Sequence, residues 1–433
     1  MNDYYKIKNI CKIKGGKRIP KGEVLQKEKN SHPYIRILDM YQGRIINISK
    51  DMLYAKESYI KQIKNYIVNE NDVILAIVGN TLGMVSIIGN TLDTAQLTEN
   101  CCKFVDIQED KINRLFLYYA LISPLNQNVI KKFRVGSSQP KLPLYNVGEL
   151  LVPKFTLAIQ SKISNLLSNI DSKIELNNKI NNELESMAKT IYDYWFLQFE
   201  FPNEEGKPYK SSGGKMVWNE ELKREIPEGW EVVNLSSCIK SINTGLNPRK
   251  NFKLNTGKFK YITVKNINID GSIDFNNCDT IDIEALKLIQ DRSKLSKGDI
   301  LFASIAPLGR CYLLEETPTD WNINESVFSI RPNNNISSYL LYYYLVSDEF
   351  IKKATYSTVG SVFQGIRINT ILNMKMLLPK KEIIHCFDSR ISSLTLLKYK
   401  RLNENQELTK LRDFLLPLLM NGQVGFKEDK AEG

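Results

Sequence analysis

The sequence predicts an α+β protein with a pseudo-two-fold internal repeat: two similar mixed α/β domains separated by two long helices that pack as an antiparallel coiled coil. Three observations predict it. One set of motifs recurs at a nearly fixed shift. Short apolar stretches broken by turn residues fill the first part of each repeat. A long run of apolar residues spaced by threes and fours closes each one.

The repeat is read directly. Tyr34-Ile35-Arg36-Ile37-Leu38-Asp39-Met40 returns as Tyr261-Ile262-Thr263-Val264-Lys265-Asn266-Ile267, a shift of 227 from residue 34 to residue 261. Asn71-Asp72-Val73-Ile74-Leu75-Ala76 returns as Gly298-Asp299-Ile300-Leu301-Phe302-Ala303, again at 227. Val135-Gly136-Ser137 returns as Val359-Gly360-Ser361 at 224, and Leu151-Val152-Pro153-Lys154 as Leu377-Leu378-Pro379-Lys380 at 226. Four matches in chain order, with shifts agreeing within three residues, mark a duplicated unit.

In chain order, residues 1–155 form the first globular domain. Val73–Val78 and Met84–Ile88 are expected as strands and Arg114–Leu121 as a helix, because apolar runs alternate with Gly, Asn and Ser. Residues 156–200 form a long helix, with Ile159, Ile163, Leu166, Ile170, Ile174, Asn177, Ile180, Leu184, Met187, Ile191 and Tyr194 on one stripe. Such a stripe needs a partner helix. From Ala158 to Trp195 it would span roughly 57 Å at about 1.5 Å per residue. Asn177 either fixes register in the seam or marks a solvated break. Residues 201–229, with Pro202, Gly206, Pro208, Ser211-Ser212-Gly213-Gly214 and Pro227, have the composition of a linker.

The second domain covers residues 230–381, with strands at Ile300–Ile305 and Cys311–Leu314 and a helix at Ser338–Val346. Residues 382–425 form the second long helix, on Phe387, Ile391, Leu394, Leu408, Leu411, Leu415 and Leu418 around a polar middle from Lys398 to Gln406. Pro417 should kink or end it. Residues 426–433 are expected to be a disordered tail.

The formal charge is +11, from 59 basic and 48 acidic residues. Excess positive charge favours a polyanionic partner, since each Lys or Arg set on a phosphate releases condensed counterions. A generally lysine-rich proteome is the plain alternative. No apolar run approaches the roughly 18–20 residues of a membrane span, and the first residues are polar, so neither a signal peptide nor an anchor is expected. Seven scattered cysteines without a Cys-x-x-Cys pair and only two histidines argue against a zinc site or a disulfide framework. The expectation is a reduced cytoplasmic protein with no bound metal.

Beyond the repeat, four local motifs carry a resemblance: Ile226-Pro227-Glu228-Gly229-Trp230, Gly298-Asp299-Ile300-Leu301-Phe302-Ala303, Gly206-Lys207-Pro208-Tyr209-Lys210-Ser211-Ser212-Gly213-Gly214 and Leu411-Arg412-Asp413-Phe414-Leu415-Leu416-Pro417. On these, the chain resembles the specificity subunit of Type I restriction-modification enzymes over nearly its whole length. The resemblance implies a non-catalytic DNA-binding subunit with two target-recognition domains, one for each half of a bipartite site on double-stranded DNA. It also implies that the two helical regions, conserved in that family, bind two methyltransferase subunits, with restriction and translocase subunits as further partners. S-adenosylmethionine, ATP and Mg would act in those partners, and no cofactor in this chain. The polar middle of the second helix is heavier than the resemblance leads one to expect.

The residues themselves offer no chemistry. There is no adjacent proline pair for an adenine methyltransferase motif, no Gly-x-Gly, and no Gly-Lys followed by Ser or Thr. Glu205-Gly206-Lys207 is only a fragment of a nuclease-like pattern. Other readings are a specificity subunit of a methyltransferase-only or other multisubunit system, a DNA-modifying enzyme of unrecognised type, and a protein-binding scaffold.

Contacts to DNA are expected on loops that join polar reach to glycines. In the first domain these are Lys17, Arg18 and Lys21 beside Gly15-Gly16, then Asn80 and Thr81 in Gly79–Gly83. The segment from Lys131 adds Lys132, Arg134, Ser137, Ser138, Gln139 and Lys141. In the second domain they are Arg249, Ser304 and Arg310 in Ser304–Arg310, and Lys352, Lys353, Ser361, Gln364 and Arg367. Arg36 and Lys265 stand at near-equivalent strand ends and complete the set. Gln139 and Gln364 could pair bidentately with adenine while Ser and Lys groups hold the backbone.

Overall fold

The computed structural model describes residues 3–136, 139–357 and 365–426. The chain divides into two compact units, Met1–Glu175 with Asn405–Gly433, and Leu176–Glu404. Each unit therefore includes half of each long helix along with its globular part.

In the first unit β1 (Lys12–Gly15), β2 (Ile45–Ile46), β3 (Val73–Ala76), β4 (Val85–Ile88) and β5 (Cys101–Val105) form a sheet in the order β1-β5-β3-β4-β2. All pairs are antiparallel except β2 with β4. β3 and β4 are buried at every position, so they read as unbroken apolar runs with little alternation. α1 (Arg114–Ile122) and α2 (Pro124–Phe133) pack on this sheet. α1 is capped by the Asn113 side chain, which accepts from the Leu115 and Phe116 N–H groups. A second sheet sets Pro33–Ile35 between Leu53–Tyr54 (antiparallel) and Gln96–Leu97 (parallel).

α3 (Leu157–Tyr192) follows and continues as a π-helical turn, Asp193–Leu197. In the second unit β6 (Ile239–Thr244), β7 (Ile300–Ala303), β8 (Cys311–Leu313) and β9 (Val327–Pro332) pair in the order β6-β9-β7-β8. This is the first unit's order without a counterpart of β2. Its small sheet repeats too: Phe259–Ile262 lies antiparallel to Asp279–Ile281 and parallel to Trp321–Ile323. α4 (Ser338–Leu345), α5 (Asp348–Tyr356) and α6 (Lys381–Met420) complete it.

The repeated Asp of the Asn71-Asp72 and Gly298-Asp299 motifs has a structural role. Asp299 is fully buried, accepts from the Ser296 N–H at 2.9 Å, and takes two bonds from Arg331, Nε at 2.6 and Nη2 at 2.7 Å. Asp72 accepts from the Asn69 N–H at 2.9 Å and faces Lys103 at 3.5 and Arg114 at 3.4 Å.

Within each unit the two long-helix segments run antiparallel. In the first, Ile163 and Leu167 share a core with Leu416, Leu419 and Met420, and Arg412 donates to Asp171 at 3.0 Å. In the second, Phe387 packs on Trp195 and Phe196, and Lys398 bonds Glu185 at 2.8 Å. Asn177 lies in the seam with no exposed surface. Its Nδ2 donates to Glu404 at 2.9 Å, and its Oδ1 accepts from Arg401 at 3.0 Å. The polar middle of α6 is thus partly engaged with α3, through Lys398, Arg401 and Glu404.

Several expectations need correction. The stripe on α3 is displaced: Ile159, Leu166, Met187 and Tyr194 are exposed, while Gln160, Ser164, Asp171 and Asn181 are buried. Gln160, Ser164 and Asp171 hold that face because they are bonded there, whereas the buried Asn181 amide has no partner among the described residues. Gln160 bonds the Asn113 N–H and the Lys111 and Phe155 carbonyls, and Asp171 accepts from Tyr119 at 2.6 Å. Residues 201–229 are no loose linker. Met216–Asn219 and Arg224–Pro227 form a hairpin, and Phe201 stacks on Trp230 and Tyr209 within the second core. Gly and Pro shape its turns while its aromatic residues bury. Pro417 lies inside α6, which runs three residues further before it ends. The tail from residue 427 lies outside the described residues. No helix is long and apolar enough to cross a membrane among the described residues. The seven cysteines are unpaired.

Candidate nucleic-acid interface

In the first unit, three loops leave the same end of the main sheet. Gly15 faces Cys102 and Ala76 faces Cys101, so the loop after β1, the loop before β5 and the β3–β4 loop emerge together. Backbone bonds tie them in series. The Gly16 N–H donates to Cys101 O at 3.0 Å and the Lys17 N–H to Leu97 O at 2.8 Å. The Ile77 N–H donates to Asn100 O, the Gly79 N–H to Pro140 O and the Leu142 N–H to Ile77 O, each at 2.8 Å. A Cβ at Gly16 would collide with the carbonyl oxygens of Leu97 and Thr98, so only glycine lets the two chains approach. From the flank, Gln127 of α2 donates to Gly83 O at 2.9 Å, which brings the helix end with Lys131 and Lys132 beside the loop.

This end collects most of the expected residues of the first domain. Lys17, Arg18, Asn80, Lys131, Lys132, Arg134, Gln139 and Lys141 are exposed on it, and Thr81 is half-buried. Lys21 lies further along the Gly16 loop and is exposed. Lys17 sits over the Tyr66 ring at 5.6 Å, and Arg18 is 3.6 Å from Glu99.

The second unit repeats the arrangement. The Gly245 N–H donates to Asn324 O at 3.2 Å, and a Cβ there would strike Ile323 O. The Ser304 N–H donates to Ser326 O at 3.0 Å and the Ile366 N–H to Ser304 O at 2.8 Å. Ile305 bridges Gly365 as Val78 bridges Lys141. Gly309, at φ +89°, turns the chain against Ile351 of α5, which takes the place of α2. Arg249, Lys352 and Arg367 are exposed here, and Arg310 is half-buried.

Four expected residues are otherwise engaged. Arg36 is clasped by Asp39 (Nε at 3.0 and Nη2 at 2.9 Å) and donates to Asp51 O at 2.9 Å, so its guanidinium holds its own domain together. Its repeat equivalent is Thr263, not Lys265: the Arg36 N–H donates to Asp39 Oδ2 at 2.7 Å as the Thr263 N–H donates to Asn266 Oδ1 at 3.0 Å. Lys265 pairs instead with Asp279 at 3.5 Å. Ser304 is buried and its hydroxyl donates to Ser326 O at 2.8 Å. Lys353 bonds Glu349 one turn back at 2.6 Å. Ser137, Ser138, Ser361 and Gln364 lie outside the described residues.

Sequence reasoning missed two repeated features. Tyr34 and Tyr261 are buried, and each fixes the first loop from below by donating to a carbonyl, Lys17 at 2.7 Å and Leu246 at 2.6 Å. Burial pushes the Tyr34 hydroxyl up to about 12 and raises Tyr261 as well, so both stay protonated donors. Both tyrosines open a repeat motif, which was the available signal. The turns Thr98-Glu99-Asn100 and Asn324-Glu325-Ser326 also correspond in the repeat, at a shift of 226.

Residues 2–186 and 227–407 both match the family described as "Type I restriction modification DNA specificity domain". The chain belongs to that family. Each matched segment of the specificity-domain family runs from a globular part into a long helix, so the family unit is the repeat itself. Among relatives, the chain is 27% identical to the Type I restriction enzyme MjaIX specificity subunit of Methanocaldococcus jannaschii, covering 98% of this chain and 94% of that one. It is 26% identical to the EcoBI specificity subunit of Escherichia coli, over 73% of this chain and 63% of that one. The solved Type-I restriction-modification system S subunit from M. genitalium aligns over 97% of this chain and 96% of that one, with a TM-score of 0.55 at 18% identity. This specificity-domain chain therefore shares the fold of that subunit.

Proposed function

We propose that the chain is the DNA-recognition subunit of a Type I restriction-modification complex, that it does no chemistry itself, and that each unit reads one half of a bipartite site with its sheet end. One observation carries the reading. The two sheet ends share much of a backbone frame, with Gly16 matched by Gly245, Gly83 by Gly309, and the loop bonds of Ile77 and Leu142 repeated by Ser304 and Ile366, yet present different side chains. Lys17 and Asn80 in one unit stand where the other has Leu246 and Pro307. A shared frame with unlike outward groups suits two targets of one kind and different sequence. Basic side chains would hold phosphates, while Gln139 and Asn80 reach base edges.

Methyltransferase subunits are the proposed partners of the helices. Exposed Leu166, Leu411 and Phe414 in the first unit, and Leu176, Met187 and Leu397 in the second, support a protein-covered surface. S-adenosylmethionine, ATP and Mg belong to those partners and to a restriction or translocase subunit, all working in the cytoplasm. The test is a domain exchange. Replacing residues 1–155 with the matching domain of a relative, then mapping methylated adenines, should change one half of the recognised sequence and leave the other. A change in both halves from a folded complex overturns modular reading. A specificity subunit serving a methyltransferase alone would give the same map, without restriction of unmodified DNA.

A further inference from the structure

Each sheet end carries a carboxylate, in the turn before its second strand, that the reading above leaves without a role. Glu99 stands in the turn before β5 and Glu325 in the turn before β9. The same bond closes both turns: Cys101 N–H to Thr98 O at 3.1 Å and Val327 N–H to Asn324 O at 3.2 Å. Each acid also lies near the tyrosine that anchors the first loop, since Glu99 adds to the burial effect on Tyr34, and Glu325 to that on Tyr261.

The two acids differ in their surroundings. Glu99 accepts from Thr98 Oγ1 at 3.1 Å and lies 3.6 Å from the exposed Arg18. Glu325 has a buried Oε2 without a hydrogen-bond partner among the described residues, and at the same sheet end Arg310 has a buried Nε in the same condition. Arg310 also donates from Nη1 to Val264 O at 3.4 Å. Buried polar atoms are nearly always bonded, so an unmatched acceptor and an unmatched donor on two half-buried side chains of one sheet end point to a ligand that offers both once those side chains turn outward.

A surface that only gripped phosphates would keep carboxylates away, because like charges repel there. An ionised carboxylate only accepts. On duplex DNA the major-groove groups that donate to it are the N4 amine of cytosine and the N6 amine of adenine. We infer that Glu99 and Glu325 are base-reading residues, each accepting a hydrogen bond from the exocyclic amine of a cytosine or adenine, one in each half of the site. This rests on the sheet ends facing DNA, as proposed above.

The test uses the assembled complex with Glu99→Ala, Glu99→Gln, Glu325→Ala and Glu325→Gln, each checked for an unchanged melting temperature. Binding is measured on the cognate duplex, on duplexes changed at each recognised position, and on an unrelated duplex. Each alanine variant should lose discrimination at one cytosine or adenine position of its own half-site, on the order of 5- to 150-fold. The same variants should bind the unrelated duplex more tightly, since a repelling charge is gone. Glutamine at a cytosine-reading site should shift preference toward adenine, whose N6 and N7 it can pair with. Unchanged discrimination overturns the inference, as does an Arg18→Ala variant that relaxes the same base pair as Glu99→Ala, which would make Glu99 a support for Arg18. If the unaltered complex shows no salt-dependent duplex binding, the DNA-facing reading itself fails.

Discussion

Tyr34 and Tyr261 make the same bond in two places: each buried hydroxyl holds up the carbonyl of a loop residue, Lys17 at 2.7 Å and Leu246 at 2.6 Å. Phenylalanine at either position leaves that carbonyl without its donor. Each variant should lose about 0.5–1.5 kcal/mol of stability, read by denaturant unfolding. Methylation mapping should show relaxed sequence choice in the matching half-site only, because the frame of one loop has loosened.

Arg331→Ala should be costly. It strands the fully buried Asp299, whereas Arg331 itself keeps 30% of its side-chain surface in solvent. A fully buried pair costs about 3–5 kcal/mol to break, and the exposed guanidinium brings the expectation to about 2–3 kcal/mol. Lys103→Ala or Arg114→Ala should each cost less, because Asp72 keeps the other cation. Equal losses at Arg331 and Arg114 would contradict this division.

How much of this was legible beforehand differs by feature. The Asp72 and Asp299 motifs were visible because an acid followed by an apolar strand recurs at one shift, and the acid's bond to a nearby N–H is local. The α3 stripe was misread because periodicity weighs only apolarity, whereas Gln160 and Asp171 are buried through bonds to residues far along the chain. Arg36 looked like an outward cation. Its partner Asp39 was three residues away in plain view, but a side-chain bond to the backbone at a strand end needs backbone geometry to be recognised. The loops at the sheet ends were found individually from glycine and charge; their convergence depends on strand order, which no single loop encodes.

Asn177→Leu should lower stability by roughly 1.5–3 kcal/mol, the range for bonds to charged groups. It withdraws one bond from Glu404 and one from the half-buried Arg401 together, at a seam where Asn177 itself has no exposed surface. Chemical denaturation reads the loss, and a stabilised variant would show that the network is a burden on the helix pair.

Glu315 gives a pH prediction. It is buried with Oε1 unbonded, and burial raises its carboxyl above the ordinary 4.5, against the opposing pull of Lys297 and a bond from Tyr339. A raised folded value means that ionisation opposes folding. The penalty is absent below about 4.5 and grows as pH rises through the folded value. Glu315→Gln should therefore melt higher than the unaltered protein at neutral pH, with the difference vanishing in acid. A difference independent of pH would rule out ionisation as its cause.

Lys131→Ala and Lys132→Ala should each flatten the salt dependence of duplex binding by about one unit in log–log slope and weaken all sequences alike. Gln139→Ala should leave that slope in place and cost on the order of 1–3 kcal/mol of discrimination at one base pair. Titrations at several salt concentrations separate the two effects.

The loop anchors are main-chain atoms, and main chain is the one part of a residue that a mutation leaves in place. The same hydroxyl-to-carbonyl bond closes over a lysine in one unit and a leucine in the other. Outward side chains can then be exchanged singly while the loop keeps its course, so a lineage can drift from one binding preference to another through folded intermediates. The invariants it must carry are small ones, Gly16 and Gly245, where any side chain would collide with a neighbouring strand.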